Sequence, residues 1–142
     1  MNKIYFAAPL HDKSDRERNM KYVRLLRDEG HLVYVPQEHG VWEQVMSQFG
    51  NDATKTRKHF FELDMKAMKE ADCCIAVAGD IRHPRGPSEG MLWEMGFMTA
   101  ANKNVFLFNE DGYWNYNLMP EFGSKVFTKF DDLLNFLREE EF

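Results

Sequence analysis

An uninterrupted apolar run at residues 73–78 constrains the fold of this chain more than any other feature of its sequence. A strand that is apolar at every position is buried on both faces, which is typical of the centre of a parallel sheet. The pattern predicts an amphipathic helix at residues 57–70, before the run, and another helix at residues 87–101, after it. Helices on both sides of a strand indicate βαβ units, so we expect a parallel sheet with right-handed crossovers.

The rest of the chain continues this alternation of strands and helices. Ser14 and Glu17 have the spacing of a capping box at the start of the first helix, and Gly30 is placed as its C-terminal cap. Residues 41–56 are ambiguous, because helically spaced apolar residues run into Gly50. Further elements are predicted as strands at residues 3–8, 32–35, 105–108 and 126–130 and as a last helix at residues 131–140. The sequence therefore predicts a single α/β domain over the whole chain, residues 1–142. We expect a three-layer flavodoxin-like or Rossmann-like sandwich of about five parallel strands.

Composition restricts the classes of ligand and the compartment. The formal net charge of −5 argues against a general nucleic-acid binder, although one local pocket can still hold a small anion. The apolar N-terminal run is too short for a signal peptide, and no stretch reaches the length of a membrane span. Cys73 and Cys74 match neither a metal site nor a disulfide framework, and the five histidines are scattered. We therefore predict a cytoplasmic protein without a metal or other cofactor.

The helix predicted after residue 86 carries the sharpest candidate for chemistry. Glu94 is flanked by apolar side chains on its helix face, and Gly90 leaves space one turn earlier. Burying a carboxylate there is costly unless hydrogen bonds direct it, which favours a functional role. A surface glutamate at the helix edge accounts for the pattern equally well. Ligands of such sheets bind at the carboxyl ends of the strands, here residues 7–10, 36–39, 79–87 and 109–114.

Four other side chains are weaker candidates. Asp72 comes just before the central strand, where an aspartate is more often a turn residue than a catalyst. Tyr5 lies in the first strand, where tyrosines usually belong to the core. Asp64 lies in an apolar stripe four residues after Phe60, and we interpret it as a buried aspartate bonded to backbone rather than a catalytic group. Asp80 follows the central strand, where loop aspartates are common.

Four segments, taken in their order along the chain, resemble one family. They are residues 4–9, Asp64 with Ala71-Asp72, the Gly90-x-x-x-Glu94-x-Gly96 helix, and Asn117-Leu118-Met119. Together they span nearly the whole chain. They resemble the nucleoside 2-deoxyribosyltransferases and the related 2′-deoxynucleoside 5′-monophosphate N-glycosidases. Each segment is weakly specific by itself, but their order and spacing make the resemblance fairly specific.

The resemblance implies a role for each matching residue. Glu94 matches the nucleophile that attacks C1′ of the sugar, and Tyr5 matches the tyrosine that orients it. Asp72 matches the aspartate that meets the base and helps to protonate it. Asn117 and Met119 match residues that reach a neighbouring subunit's site, which implies a homo-oligomer with shared active sites. The implied partners are a deoxynucleoside or deoxynucleotide and a nucleobase; further substrate-binding residues would be Ala8, Pro9, Ser88 and Gly90.

One position departs from the transferases and leaves two reactions open. Ser88 stands where transferases usually carry an aspartate for the 5′-hydroxyl, whereas the monophosphate glycosidases resemble this chain in having a serine that contacts the 5′-phosphate. Arg82 and Arg85 lie in the same loop and could add positive charge, but solvated loop arginines fit as well. Asn117 instead resembles the transferases. The balance favours transfer of the deoxyribosyl group, with hydrolysis of the monophosphates as the alternative.

Other classes of protein with this fold fit the sequence less well. A phosphate-accepting receiver domain needs acidic residues after the first strand, where this chain has Ala7-Ala8-Pro9. A dinucleotide-binding domain needs a G-x-G-x-x-G segment there, which is absent. A non-catalytic nucleotide-binding module stays open, because it would keep the pocket without needing Glu94 for chemistry.

Overall fold

A parallel sheet forms the centre of the computed structural model, which describes residues 1–79 and 88–140. Its strands are β1 (Lys3–Ala7), β2 (Leu32–Tyr34), β3 (Cys73–Val77), β4 (Asn104–Phe108) and β5 (Lys125–Phe127). Within the described residues the five strands pair in the order β2-β1-β3-β4-β5, and every pair is parallel. The predicted α/β fold with a parallel sheet is confirmed, and the apolar run forms the fully buried central strand β3.

Helices cover both faces of this sheet. They are α1 (Lys13–Asp28), α2 (Trp42–Gln48), α3 (Ala53–Glu70), α4 (Glu89–Ala100), α5 (Leu118–Phe122) and α6 (Phe130–Glu139). Helices α1 and α6 pack against one face, and α3 and α4 pack against the other, which gives three layers. Among the helices of the described residues, none combines the length and apolar character needed to cross a bilayer.

The alternation of side chains along β1 decides which residues face the α3–α4 layer. Ile4 and Phe6 belong to the core under α1 and α6, whereas Tyr5 and Ala7 belong to the core under α3 and α4. Successive strand residues point to opposite faces, so a single polar side chain at Tyr5 is aimed into the second layer.

The start of α1 differs from the predicted one. Asp12, not Ser14, caps α1: its side chain accepts a hydrogen bond from the Asp15 backbone N–H at 2.9 Å. The helix therefore begins ahead of Ser14. The predicted capping box is wrong, because Ser14 already lies inside the first turn. Gly30, with φ +92, follows α1 in the left-handed conformation expected of a C-terminal glycine.

The ambiguous segment resolves into a short helix and the first turn of α3. Helix α2 ends before the turn around Gly50, and Asp52 caps α3 by accepting from the Lys55 N–H at 3.1 Å. Helix α3 is thus one turn longer at its start than predicted. Phe61 is 53% exposed, because it lies about 100° around the helix from Phe60.

Candidate active site

Two tyrosines lie side by side, one in the middle of β1 and the other at the carboxyl end of β2. Tyr5 and Tyr34 are direct partners in the parallel register, so their side chains leave the sheet on the same face. Their rings stack with centroids 5.6 Å apart and an angle of 15°. Tyr5 is fully buried and Tyr34 is half-buried, which carries two phenol hydroxyls from the core toward the α3–α4 layer.

Glu94 meets the first of these hydroxyls. The Tyr5 hydroxyl donates a hydrogen bond to Glu94 Oε2, which joins β1 to α4 across the layer. Burial raises the pKa of Glu94 to about 7, with the Tyr5 hydrogen bond opposing this rise and the nearby charge of Asp64 adding to it. A partly buried carboxylate held by one directed donor can act as a nucleophile, and among the described residues its other oxygen accepts no hydrogen bond.

Asp64 meets the second hydroxyl. Tyr34 donates to Asp64 Oδ1 at 2.9 Å, so α3 supplies a carboxylate beside the one that α4 supplies. Burial raises the pKa of Asp64, while the Tyr34 hydrogen bond and the charge of His39 oppose the rise. The partner of Asp64 is thus a side-chain hydroxyl rather than the backbone group that we expected, and Asp64 lies close enough to Glu94 to affect its pKa.

A cavity of about 280 Å³ joins these two carboxylates. Its lining residues are Ala8, Leu10, His11, Pro36, Asp64, Ser88, Gly90, Met91 and Glu94. They come from the loops after β1 and β2, from α3 and from the start of α4, as expected of a ligand site at the carboxyl edge of such a sheet. No described atom lies within 4 Å of where a Cβ on Gly90 would be, so this glycine keeps the cavity open above Glu94.

The sequence of the chain matches one family over nearly all of these elements. The family model described as nucleoside 2-deoxyribosyltransferase matches residues 4–133. The chain belongs to this family. The predicted resemblance is thereby confirmed, and it supports an enzyme that acts on nucleosides or nucleotides.

Solved structures of other members of the fold agree with this deoxyribosyltransferase assignment. A 2-deoxyribosyltransferase of Bacillus psychrosaccharolyticus is 29% identical and superposes with a TM-score of 0.74, covering 93% of this chain and 90% of that one. A conserved protein of Enterococcus faecalis V583 (20% identity, TM-score 0.75, 98% of each chain) and a CMP N-glycosidase of Clostridium botulinum (21%, 0.60, 95% and 97%) share the fold. No curated protein matches the chain at a significant level.

Asp72 lies at the amino edge of the sheet, opposite the edge that carries the cavity, which does not fit its predicted role at the base. It is exposed at the amino end of β3, where its Oδ2 accepts from the Lys3 backbone N–H at 2.7 Å. The length of β3, roughly 16 Å for five residues, separates it from the edge that carries the cavity. The structure does not bring Asp72 together with Glu94, and Asp64 takes the position beside Glu94 instead.

The remaining predicted residues fall into four groups. Ser88 lines the cavity and also caps α4, accepting from the Met91 N–H at 3.0 Å, while Ala8 and Gly90 line the same cavity. Pro9 is not among the lining residues, and its carbonyl accepts a hydrogen bond from the Asn19 side chain at 3.0 Å. Asn117 and Met119 lie exposed at the start of α5, outside this cavity. The predictions on Asp80, Arg82 and Arg85 fall outside the described residues.

Sequence reasoning missed Tyr34, whose signal was available. It ends β2, one of the strand ends at which ligands were expected, and it falls on the same alternating face as Tyr5 once the two strands are aligned. Leu10, His11 and Pro36 also line the cavity, and all three follow strand ends.

Proposed function

We propose that this deoxyribosyltransferase-family chain cleaves the N-glycosidic bond of 2′-deoxyribonucleosides through a covalent deoxyribosyl–Glu94 intermediate and transfers the sugar to another nucleobase. One observation carries the proposal: Glu94, held by the Tyr5 hydroxyl, and Asp64, held by the Tyr34 hydroxyl, line the same cavity. A nucleophile and an acid on opposite sides of a sugar–base bond are what this chemistry needs.

The first displacement forms the intermediate. The free Glu94 oxygen attacks C1′ while the C1′–N bond breaks, its electron pair passes to the base, and Asp64 gives the base a proton. Tyr5 occupies the other oxygen, Oε2, which holds the carboxylate plane against the sugar. A 2′-deoxy sugar suits this step, because it lacks the electron-withdrawing hydroxyl that would destabilise the oxocarbenium-like transition state.

The second displacement reverses the first with a new acceptor. A nitrogen of the incoming base attacks C1′, the C1′–O bond to Glu94 breaks, and the proton lost by that nitrogen returns to Asp64. Two inversions at C1′ preserve the configuration of the glycosidic bond. Burial raises the pKa of both carboxyl groups, and the reaction uses Glu94 as the anion and Asp64 as the acid.

Asp64, rather than Asp72, is our candidate for the group that protonates the base. Asp64 lines the cavity and has a raised pKa, so it can hold a proton at a pH where an exposed aspartate has lost it. Asp72 is left with a structural role, because its carboxylate is satisfied by the Lys3 N–H in solvent.

Ser88 supports a second candidate function, the hydrolysis of 2′-deoxyribonucleoside 5′-monophosphates to free base and deoxyribose 5-phosphate. Its hydroxyl lines the cavity at the start of α4, where a carboxylate would repel a phosphate group. Its bond to the Met91 N–H is one it can keep while donating its own proton to a ligand. In this reaction water, instead of a base, resolves the Glu94 intermediate.

We also propose that the active enzyme is a homo-oligomer in which α5 of one subunit reaches the site of the next. Leu118, Met119 and Phe122 are 59%, 71% and 83% exposed beside an apolar groove of about 610 Å³. A second copy of the chain is the occupant we propose, because it would bury these side chains and carry Asn117 toward a neighbouring cavity. We place this enzyme in the cytoplasm, where buried free thiols such as Cys73 and Cys74 are usual.

Light scattering tests the assembly. Phe122→Glu should yield monomers with little activity, whereas Val41→Glu, which adds the same charge at an exposed position on another part of the surface, should leave both unchanged. An active monomer in either the parent or the Phe122→Glu variant would contradict a shared site.

A product assay tests the reaction. The purified protein is incubated with deoxyinosine plus adenine, and separately with a panel of deoxynucleoside monophosphates, with Glu94→Ala as the control. Deoxyadenosine that the variant fails to form establishes the transferase, and free base with deoxyribose 5-phosphate, without exchange, establishes the hydrolase. Nucleotide binding without turnover, unchanged in Glu94→Ala, would leave a binding module and overturn both reactions.

A further inference from the structure

The two tyrosine–carboxylate pairs have the same construction. Each begins at a tyrosine of a parallel strand, the two tyrosines being register partners, and each hydroxyl donates to one oxygen of a carboxylate on a covering helix. The Tyr5–Glu94 pair already has a role in the proposed function. The Tyr34–Asp64 pair repeats its geometry one strand further along the sheet.

The ring of Tyr34 stacks with two neighbouring rings. Its centroid lies 5.6 Å from that of Tyr5 and 4.0 Å from that of His39, with interplanar angles of 15° and 11°. Two near-parallel neighbours restrict the rotation of the phenol, which helps to keep its hydroxyl on Asp64 Oδ1.

We propose that Tyr34 is a positioning residue that fixes the general acid of the reaction. Its hydroxyl donates a hydrogen bond to Asp64 Oδ1, so that Oδ2 carries the proton that passes to the leaving base. This inference rests on the proposed function. It adds to that function the residue that decides which oxygen of Asp64 is the donor and how stable the carboxylate is once the proton has left.

The chemistry of a carboxyl group explains why a hydroxyl donor suits this position. A protonated carboxyl has one carbonyl-like oxygen that accepts and one O–H that donates, so a donor on Oδ1 matches the acid form. As the proton moves to the base, negative charge develops on Asp64 and the same hydrogen bond strengthens. The contact thus stabilises the transition state more than the bound substrate, and its loss should lower kcat rather than raise KM.

The test compares Tyr34→Phe with the parent enzyme on a series of deoxynucleosides whose bases differ in pKa, all within the base class that the enzyme accepts. We expect kcat to fall about 10- to 100-fold for the most basic leaving groups, the range of one hydrogen bond to a charged group, with KM changed little. The defect should shrink as the base becomes easier to expel without a proton. Tyr22→Phe is the matched control, since it removes a buried phenol hydroxyl on the opposite face of the sheet and should leave the series unchanged.

A double-mutant cycle tests whether Tyr34 acts through Asp64. Tyr34→Phe should add little to the loss already present in Asp64→Asn, because the acid it positions is gone. If Tyr34→Phe fails to fold, Tyr34→His, which keeps a ring with an N–H donor, replaces it in the assays on the same series of deoxynucleosides. A defect that is equal for every base, or that adds fully to Asp64→Asn, or no defect at all, overturns the assignment. Absence of turnover in the parent enzyme would instead overturn the proposed function.

Discussion

The two edges of the sheet place an aspartate in opposite environments. Asp64 lies within α3 and Asp72 lies just beyond its last residue, Glu70, yet the helix carries them to opposite edges. Asp64, at the carboxyl edge, is part-buried, accepts a tyrosine hydroxyl and faces a cavity. Asp72, at the amino edge, is exposed and accepts a backbone N–H.

At the amino edge, polar side chains form hydrogen bonds with backbone groups. Lys103 donates there to the carbonyls of Met68 and Ala71, at 2.8 and 2.7 Å, which caps the end of α3. At the carboxyl edge, by contrast, two carboxylates that each accept a tyrosine hydroxyl line a cavity. The comparison teaches that the edge at which an acidic residue lies, rather than its closeness in sequence to a strand, indicates whether it does chemistry.

The largest expected effect is at Glu94. Glu94→Gln should lower kcat by about 10³-fold or more, because the amide keeps the shape and the Tyr5 contact but loses the attacking anion. Steady-state assay of base release measures this. A loss of less than tenfold would remove Glu94 as the nucleophile.

Asp64→Asn should lower kcat by about 10²-fold, the lower range for loss of a general acid. The amide can still accept the Tyr34 hydrogen bond, so the fold should be preserved. The same assay measures the effect, with circular dichroism as the check on folding. Activity equal to the parent's would mean that Asp64 has only a structural role.

The pH profile should reflect the raised pKa of Glu94. Since attack needs the carboxylate and burial raises its pKa to about 7, kcat/KM should fall about tenfold for each unit below pH 7. Tyr5→Phe should move this limb to higher pH, because the Tyr5 hydrogen bond lowers the pKa of Glu94. A limb near the ordinary value of 4.5, or one that moves to lower pH in the variant, would contradict the assigned environment.

Glu94 should also lower the stability of the protein above neutral pH. Its folded-state pKa, about 7, exceeds the ordinary value of 4.5, so the folded protein binds the proton more tightly and stability falls as pH rises through that window. Glu94→Gln should therefore be more stable than the parent by about 3 kcal/mol at pH 8 relative to pH 4. Urea unfolding at the two pH values measures the difference, and a pH-independent difference would be inconsistent with the raised pKa.

The smallest effect should be at the amino edge. Asp72→Ala should leave kcat within about twofold of the parent and lower stability by about 1 kcal/mol, through loss of the bond from the Lys3 N–H. Kinetics and urea unfolding measure the two quantities. A large loss of activity in a folded variant would break the distinction between the two edges.

The sequence predicts the framework of the site well, for identifiable reasons. The run that forms β3 is apolar on both faces, and its burial leaves little choice but the centre of a parallel sheet. Glu94 follows from its flanking apolar groups and from Gly90, features that are local to one helix. Local patterns of this kind keep their meaning in the folded chain.

The acid could not be predicted in the same way, because its position depends on contacts distant in sequence. Asp64 interrupts an apolar stripe, and only the packing of α3 over the end of β2 shows that the interruption meets Tyr34. The family resemblance implies a role at the base for Asp72, but a strand has two ends, and β3 begins where Asp72 lies. The predicted start of α1 was wrong for a related reason. Asp12 and Ser14 both suit an N-terminal cap, and only the backbone conformation decides between them.

The most direct test of the account is to look for the sugar on Glu94. The enzyme is mixed with a deoxynucleoside in the absence of acceptor base, quenched in acid within the first turnover, digested and examined by mass spectrometry. The account predicts a peptide that carries one deoxyribosyl group on Glu94, formed as the base is released and lost when an acceptor is added before the quench. Release of base by the parent enzyme with no adduct at any time, or an adduct on another side chain, would contradict it.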